Sequence, residues 1–179
     1  DAGLRMGEVA ALEWTRVNFV RGVLTVAKSE WRGHVTLPKG GRMREVKLTL
    51  RLLKALKELR HLRGERVLIQ DDGSTFNRDI FRKWTMRVER KAGLHPTGRF
   101  HIFRHTFCAH LAMKGAPARA IQELAGHADL TTTMRYMHLS PAARESAIAL
   151  LDAVHADQKP ATGTAKTASG FGDMLETGK

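Results

Sequence analysis

Between Val17 and Leu48 the chain is rich in β-branched residues and broken by turn residues, while the apolar residues on either side fall at helical spacing. That block limits the fold more than any other feature. Val17 to Ala27 and Trp31 to Leu48 read as strands, with breaks at Arg21-Gly22 and Gly40-Gly41. Such short breaks leave no room for crossover helices, so the strands should pair antiparallel. The last hairpin tip, PKGGR, is basic and glycine-rich. The expectation is an α+β domain, mainly α-helical, with a small antiparallel sheet at one end.

The helices announce themselves by period and caps. DAGLRMGEVAALEW carries Leu4, Val9 and Leu12 at roughly helical spacing. Thr49 should cap the next helix, with Leu50, Leu53, Leu56 and Leu59 as its buried stripe and Gly64 as its end. Val67 to Gln70 reads as a short extended piece before the turn DDGS. Asn77 should cap a helix with Ile80, Phe81, Trp84 and Val88 inward, ended by Gly93. Further helices are expected over His101 to Lys114, from Pro117 to Gly126, over Leu130 to Met137, and after Ser140-Pro141 with Ile148, Leu150 and Leu151 apolar.

Charge narrows the class of partner. The 179 residues include 30 Lys and Arg against 18 Asp and Glu, a formal net charge of +12. From Arg90 to Gln122 there is no acid at all, and between Trp31 and Lys57 the only acid is Glu45. Two such segments could line one positive surface suited to phosphates, so nucleic acid is the expected partner. No apolar run is long enough for a membrane span. Nothing argues for secretion, and the single cysteine, Cys108, fits a reducing compartment. A cytoplasmic, nucleoid-associated protein is expected.

Three groups of residues then suggest a chemistry. Arg5 lies in AGLRMGE; His101 and Arg104 are three apart in HIFRHTF and share a helix face; Tyr136, the only tyrosine, follows His127 and precedes His138. Alone, each is ordinary: a solvated arginine, a hydrogen-bonded histidine, a packed tyrosine. Together they match metal-free phosphodiester cleavage. A phenol can attack phosphorus and later be displaced again. Guanidinium groups hold two phosphate oxygens in a planar fork. Histidine, and a lysine in a flexible hairpin, can move the protons. The acids form no cluster suited to a two-metal nuclease.

These segments resemble the catalytic domain of the tyrosine recombinase (phage integrase) family. AGLRMGEVAALEW looks like its first-arginine box, HIFRHTFCAHLAMKG like its His-x-x-Arg box, and IQELAGHADLTTTMRYMHLS like its closing box. The resemblance runs from Asp1 to about Ala153. It implies strand cleavage and rejoining through a 3′-phosphotyrosyl intermediate in site-specific recombination. Arg5 and Arg104 would clamp the phosphate, His101 would be the general base on Tyr136, and His127 would donate a hydrogen bond to the phosphate. Lys39 falls where the family keeps its general acid, with Lys47 and Arg42 close by. Glu8 matches a supporting acid.

The resemblance implies a catalytic domain over 1–155, with the family's core-binding domain absent from the N-terminal side; residues 156–179, mostly Lys, Pro, Thr, Ala, Gly and Ser with little to bury, read by composition as a flexible tail. The resemblance also implies self-association into a tetrameric synapse on DNA. No cofactor or metal is expected. His101, His105 and Cys108 lie on one helix face and could hold zinc, but Arg104 among them would repel a cation; His105 and Cys108 read instead as packing. The rival readings are a DNA-binding module of the same fold without catalysis and a type IB topoisomerase-like enzyme.

Overall fold

A computed structural model describes residues 1–38 and 41–139. Lys39, Gly40, the helix expected after Ser140-Pro141 and the expected tail lie outside the described residues. The first helix, α1 (Met6–Ala10), is much shorter than the periodic stretch suggests. Arg5 remains extended before it, and Leu12 to Trp14 pair with the segment around Arg66 instead: Val67 donates its amide to the Leu12 carbonyl at 2.9 Å, and Trp14 to Glu65 at 2.8 Å. A single 3₁₀ turn (Trp14–Arg16) leads into the sheet.

The strand block is divided differently from expectation. Strands β1 (Val17–Asn18), β2 (Val23–Val26) and β5 (Arg44–Lys47) form one antiparallel sheet in the order β1-β2-β5, with Val17 opposite Leu24 and Leu24 opposite Val46. Strands β3 (Ser29–Trp31) and β4 (His34–Thr36) form a separate hairpin. Its two-residue turn has Arg32 at φ 50° and Gly33 at φ 82°, the positive pair that matches the twist of a tight hairpin. PKGGR is therefore a link between two sheets rather than a hairpin tip. Pro38, which has no amide to donate, stands where the β4 ladder stops.

Leu24, Val26, Val46, Leu56 and Val67 form the heart of the larger core, with Leu52 and Leu53 packed against it. In α2 (Leu50–Leu59) the Thr49 hydroxyl caps the helix by accepting from the Leu52 amide at 3.2 Å. The helix ends before Gly64, and its buried stripe is Leu52, Leu53 and Leu56. Leu50 is 85% exposed because Leu50 and Leu59 are half a turn out of phase at about 100° per residue.

Asn77 caps α3 (Arg78–Lys91), accepting from the Ile80 amide at 3.0 Å. Its inward face is Phe81, Thr85 and Glu89, whereas Trp84 (54% exposed) and Val88 face outward. The polar pair is buried because it is satisfied. Thr85 donates to the Phe81 carbonyl at 2.8 Å, and Glu89 accepts from the Thr97 amide at 2.7 Å, the Thr97 hydroxyl at 2.6 Å and the Gly98 amide at 2.9 Å. Glu89 thereby pins the loop that delivers the next helix. Helices α4 (His101–Met113), α5 (Ala118–Ala125) and α6 (Leu130–Met137) then pack around Cys108, Ala112, Ile121 and Ala125. All four are wholly buried, and three of them, Cys108, Ala112 and Ala125, are small. Among the described residues no helix is long and apolar enough to cross a membrane.

Candidate active site

The site is organised on one buried carboxylate. Glu8, 2% exposed, faces back along α1 and accepts from the Arg5 amide at 2.8 Å and from the Arg5 guanidinium at 3.0 Å. Arg44 on β5 holds the same carboxylate with both terminal nitrogens, at 3.0 and 2.8 Å. Its Nε donates to the Leu124 carbonyl at 3.1 Å, and Arg5 Nη2 donates to the Gly126 carbonyl at 2.8 Å. Three distant parts of the chain thus meet at Glu8. Gly126 makes the closure possible: it ends α5 at φ 69°, and a Cβ there would lie 2.8 Å from Arg44 Nη1.

Burial pushes the Glu8 carboxyl up, but hydrogen bonds and charge from Arg44 and then Arg5 outweigh it, and the net direction is down. A depressed carboxyl stabilises the fold above the ordinary glutamate value, and that contribution is lost as pH falls through the lower folded value. Glu8→Gln should therefore melt earlier at neutral pH, by about 3–5 kcal/mol of stability, because it leaves buried guanidinium groups uncompensated. It should also flatten the acid limb of stability. Thermal melts of both proteins from neutral pH to pH 3 check this; equal melting points at neutral pH would mean that Glu8 is not the anchor.

Arg104, on α4, is buried; its Nη1 donates to the Gly3 carbonyl at 2.6 Å, while its buried Nη2 has no hydrogen-bond partner among the described residues. Desolvation, then the neighbouring Arg5 charge, pushes this guanidinium down to about 10. His101 opens the same helix. Desolvation and the charges of Arg104, His105 and Arg5 lower it from the ordinary imidazole value.

α6 brings the phenol to this cluster, capped by Asp129, whose carboxylate accepts from the Thr131 amide at 2.9 Å. The Tyr136 ring is half-buried, and His127 lies parallel to it with ring centroids 6.4 Å apart. His127 Nδ1 is 2.8 Å from the Thr133 hydroxyl. Desolvation, followed by Arg104, Arg5 and Arg44, pushes His127 down to about 4, so its ring is neutral at neutral pH. Burial and Cys108 raise the Tyr136 phenol, against an opposing pull from Arg104 and Arg135. The phenol oxygen is 2.5 Å from His105 Nδ1.

The fold therefore gathers Arg5, Glu8, Arg104, His127 and Tyr136 with His101 at the edge. Lys39 lies outside the described residues, in the link whose ends are joined by the Gly41 amide and the Pro38 carbonyl at 2.8 Å. Lys47 is turned elsewhere, donating to the Arg21 carbonyl at 2.7 Å. Arg42 lines a cleft of about 440 Å³ with Arg44, Arg119, Gly126 and His127. Two participants were missed from sequence. Arg44 carried no signal beyond a glutamate needing a partner. His105 did carry one, since it lies one helical turn after His101, but it was read as packing. Among the described residues no group of three His, Cys, Asp or Glu side chains is placed to hold a metal ion.

Residues 1–143 match the model of the phage integrase family. The tyrosine recombinase XerC of Pseudomonas entomophila is 35% identical over 150 residues, covering 78% of this chain and 45% of the relative. XerC of Pseudomonas putida W619 is 32% identical, covering 92% of this chain and 52% of that one. The chain thus spans about half the length of these curated relatives. Among solved structures, the Tn1549 transposon integrase bound to transposon right end DNA superposes with a TM-score of 0.72 at 20% identity, covering 84% of this chain and 55% of that one. The catalytic domain of bacteriophage HP1 integrase gives 0.56 at 28% identity, covering 83% and 74%.

Proposed function

This chain belongs to the phage integrase family, and on that premise we propose that it is the catalytic domain of a site-specific DNA recombinase that cuts and rejoins strands through a 3′-phosphotyrosyl intermediate. The observation that carries the reading is Arg104 Nη2: a buried, cationic N–H with no partner, beside Arg5 and near the phenol. A buried donor left unpaired is costly, and a phosphodiester oxygen is the partner that suits it.

In this reading Arg5 and Arg104 hold the non-bridging oxygens and stabilise the charge that develops at phosphorus. The neutral His127 ring accepts from Thr133 at Nδ1 and donates from Nε2 to the phosphate. His101, beside Arg104, joins these donors. The Tyr136 oxygen attacks, the bond from phosphorus to the 5′ oxygen breaks, and Lys39, on the family resemblance, supplies the proton to that oxygen. Arg42 and Arg119, on the cleft beside His127, suit the flanking phosphates. Relatives named as recombinases, and a structural neighbour in complex with transposon DNA, favour double-stranded DNA as substrate. We assign residues 1–155 to this domain and 156–179 to a tail, and place the protein in the cytoplasm, on the nucleoid, as a tetrameric synapse when it recombines two duplexes.

The test needs no known target. A pool of nicked duplexes with a randomised core is incubated with the protein in excess EDTA, and covalent adducts are captured and sequenced. Adducts enriched for one sequence are expected. A pool that is bound but yields no adduct would leave a non-catalytic DNA-binding module, and adducts without sequence preference would point to a topoisomerase-like enzyme.

A further inference from the structure

We propose that His105, rather than His101, takes the phenolic proton of Tyr136 during strand cleavage, an inference that rests on the recombinase reading above. Its Nδ1 lies 2.5 Å from the phenol oxygen, with the two rings tilted by 43° and their centroids 6.0 Å apart. No hydrogen bond joins His101 to Tyr136 among the described residues; His101 sits a turn earlier, its ring centroid 6.3 Å from that of His105. On its other side the phenol is fixed by the parallel His127 ring. The proton acceptor nearest the nucleophile is thus the second histidine of HIFRH.

A base is required here because a phenol is protonated at neutral pH, and burial raises this one further. His127 cannot serve, since its Nδ1 is engaged by Thr133 and its basicity is suppressed. The charged and titratable groups around the pair are His101, Arg104 and Cys108 from α4, His127 from the α5–α6 connection, Arg135 from α6, and Arg5. As the Tyr136 oxygen bonds to phosphorus, its proton passes to His105 Nδ1, and the bond from phosphorus to the 5′ oxygen breaks; that oxygen takes its proton from a separate acid. On resealing, the 5′ hydroxyl attacks, the phenolate leaves, and His105 returns the proton to it. His105 is exposed, so its ring can be replaced by a small base from solution.

The experiment uses duplexes recovered from the randomised pool and single-turnover adduct formation by the complete chain. His105→Ala should form adducts about 10²-fold more slowly, the low end of what a positioned base contributes, and free imidazole should restore part of the rate. Imidazole should do nothing for Tyr136→Phe. His105→Asn keeps a hydrogen-bonding atom where Nδ1 stood but takes no proton, so it should be as slow as the alanine variant. Asparagine at the wild-type rate would reduce His105 to a support for the ring, and a faster alanine variant would make it a restraint; either overturns the inference while the recombinase reading stands. Absence of adducts from the wild-type protein would instead remove that reading itself.

Discussion

Tyr136→Phe should form no covalent adduct with DNA. The change removes one oxygen and leaves the ring parallel to His127, so the fold has little to lose: one partly exposed hydrogen bond to His105, about 0.5–1.5 kcal/mol. DNA affinity should therefore survive within about twofold, because binding is dominated by phosphate contacts. The chain has no other tyrosine. No neighbouring phenol can stand in, so adducts should fall below detection rather than to a residual level. Denaturing gels with end-labelled duplex read the adduct, and a filter-binding curve reads affinity. Adducts formed by the phenylalanine variant would place the nucleophile elsewhere and dissolve the site as described.

The second large effect belongs to Arg104→Lys. The substitution keeps a cation in a buried position but loses the fork that reaches the Gly3 carbonyl with one nitrogen while leaving another free. Losing a donor aimed at developing charge costs on the order of 10²–10³ in rate. The site adds a penalty of its own. It pushes even a guanidinium down to about 10, and an ammonium starts lower, so a lysine here sheds its proton much nearer to neutral pH. The variant should thus be slow at pH 7 and slower still on the alkaline side, where the wild type keeps its charge. Single-turnover adduct rates from pH 6.5 to 9 check both parts. A lysine variant within threefold of wild type across that range would mean that Arg104 is a structural strut.

Residues whose roles follow from local chemistry could be read directly. Thr49 and Asn77 cap their helices, and α6 covers the residues its pattern indicated, because each depends on a few neighbours in sequence. The three segments bearing Arg5, Arg104 and Tyr136 do converge, and that too was visible in their residue types and spacing. What escaped depended on long-range partners. Within the strand block the turn at Arg32-Gly33 goes unmarked, because Arg32 gives no sign that it accepts a positive φ beside Gly33. Glu89 carries no sequence signal of burial, because the loop that buries it cannot be placed by period alone. Trp84 was assigned inward on hydrophobicity, yet Thr85 and Glu89 claim that face because their polar groups are satisfied there. Arg44 is silent for the same reason: it matters through a contact with a residue far along the chain.

On the recombinase reading, the closure at Gly126 also sets when the site is assembled. Arg5 donates to a carbonyl 121 residues later, and Arg104 to one 101 residues earlier. Contacts of such sequence separation form late, because the loops they close must first be paid for in entropy. A ribosome releases the Arg5 segment long before the closing helices, so for most of its synthesis the chain carries a cation and a carboxylate with nothing to cut. The nucleophile emerges last of all and meets its arginines only when the helical half has docked on the sheet. On the recombinase reading, a product truncated before α6 lacks the phenol and should form no adduct.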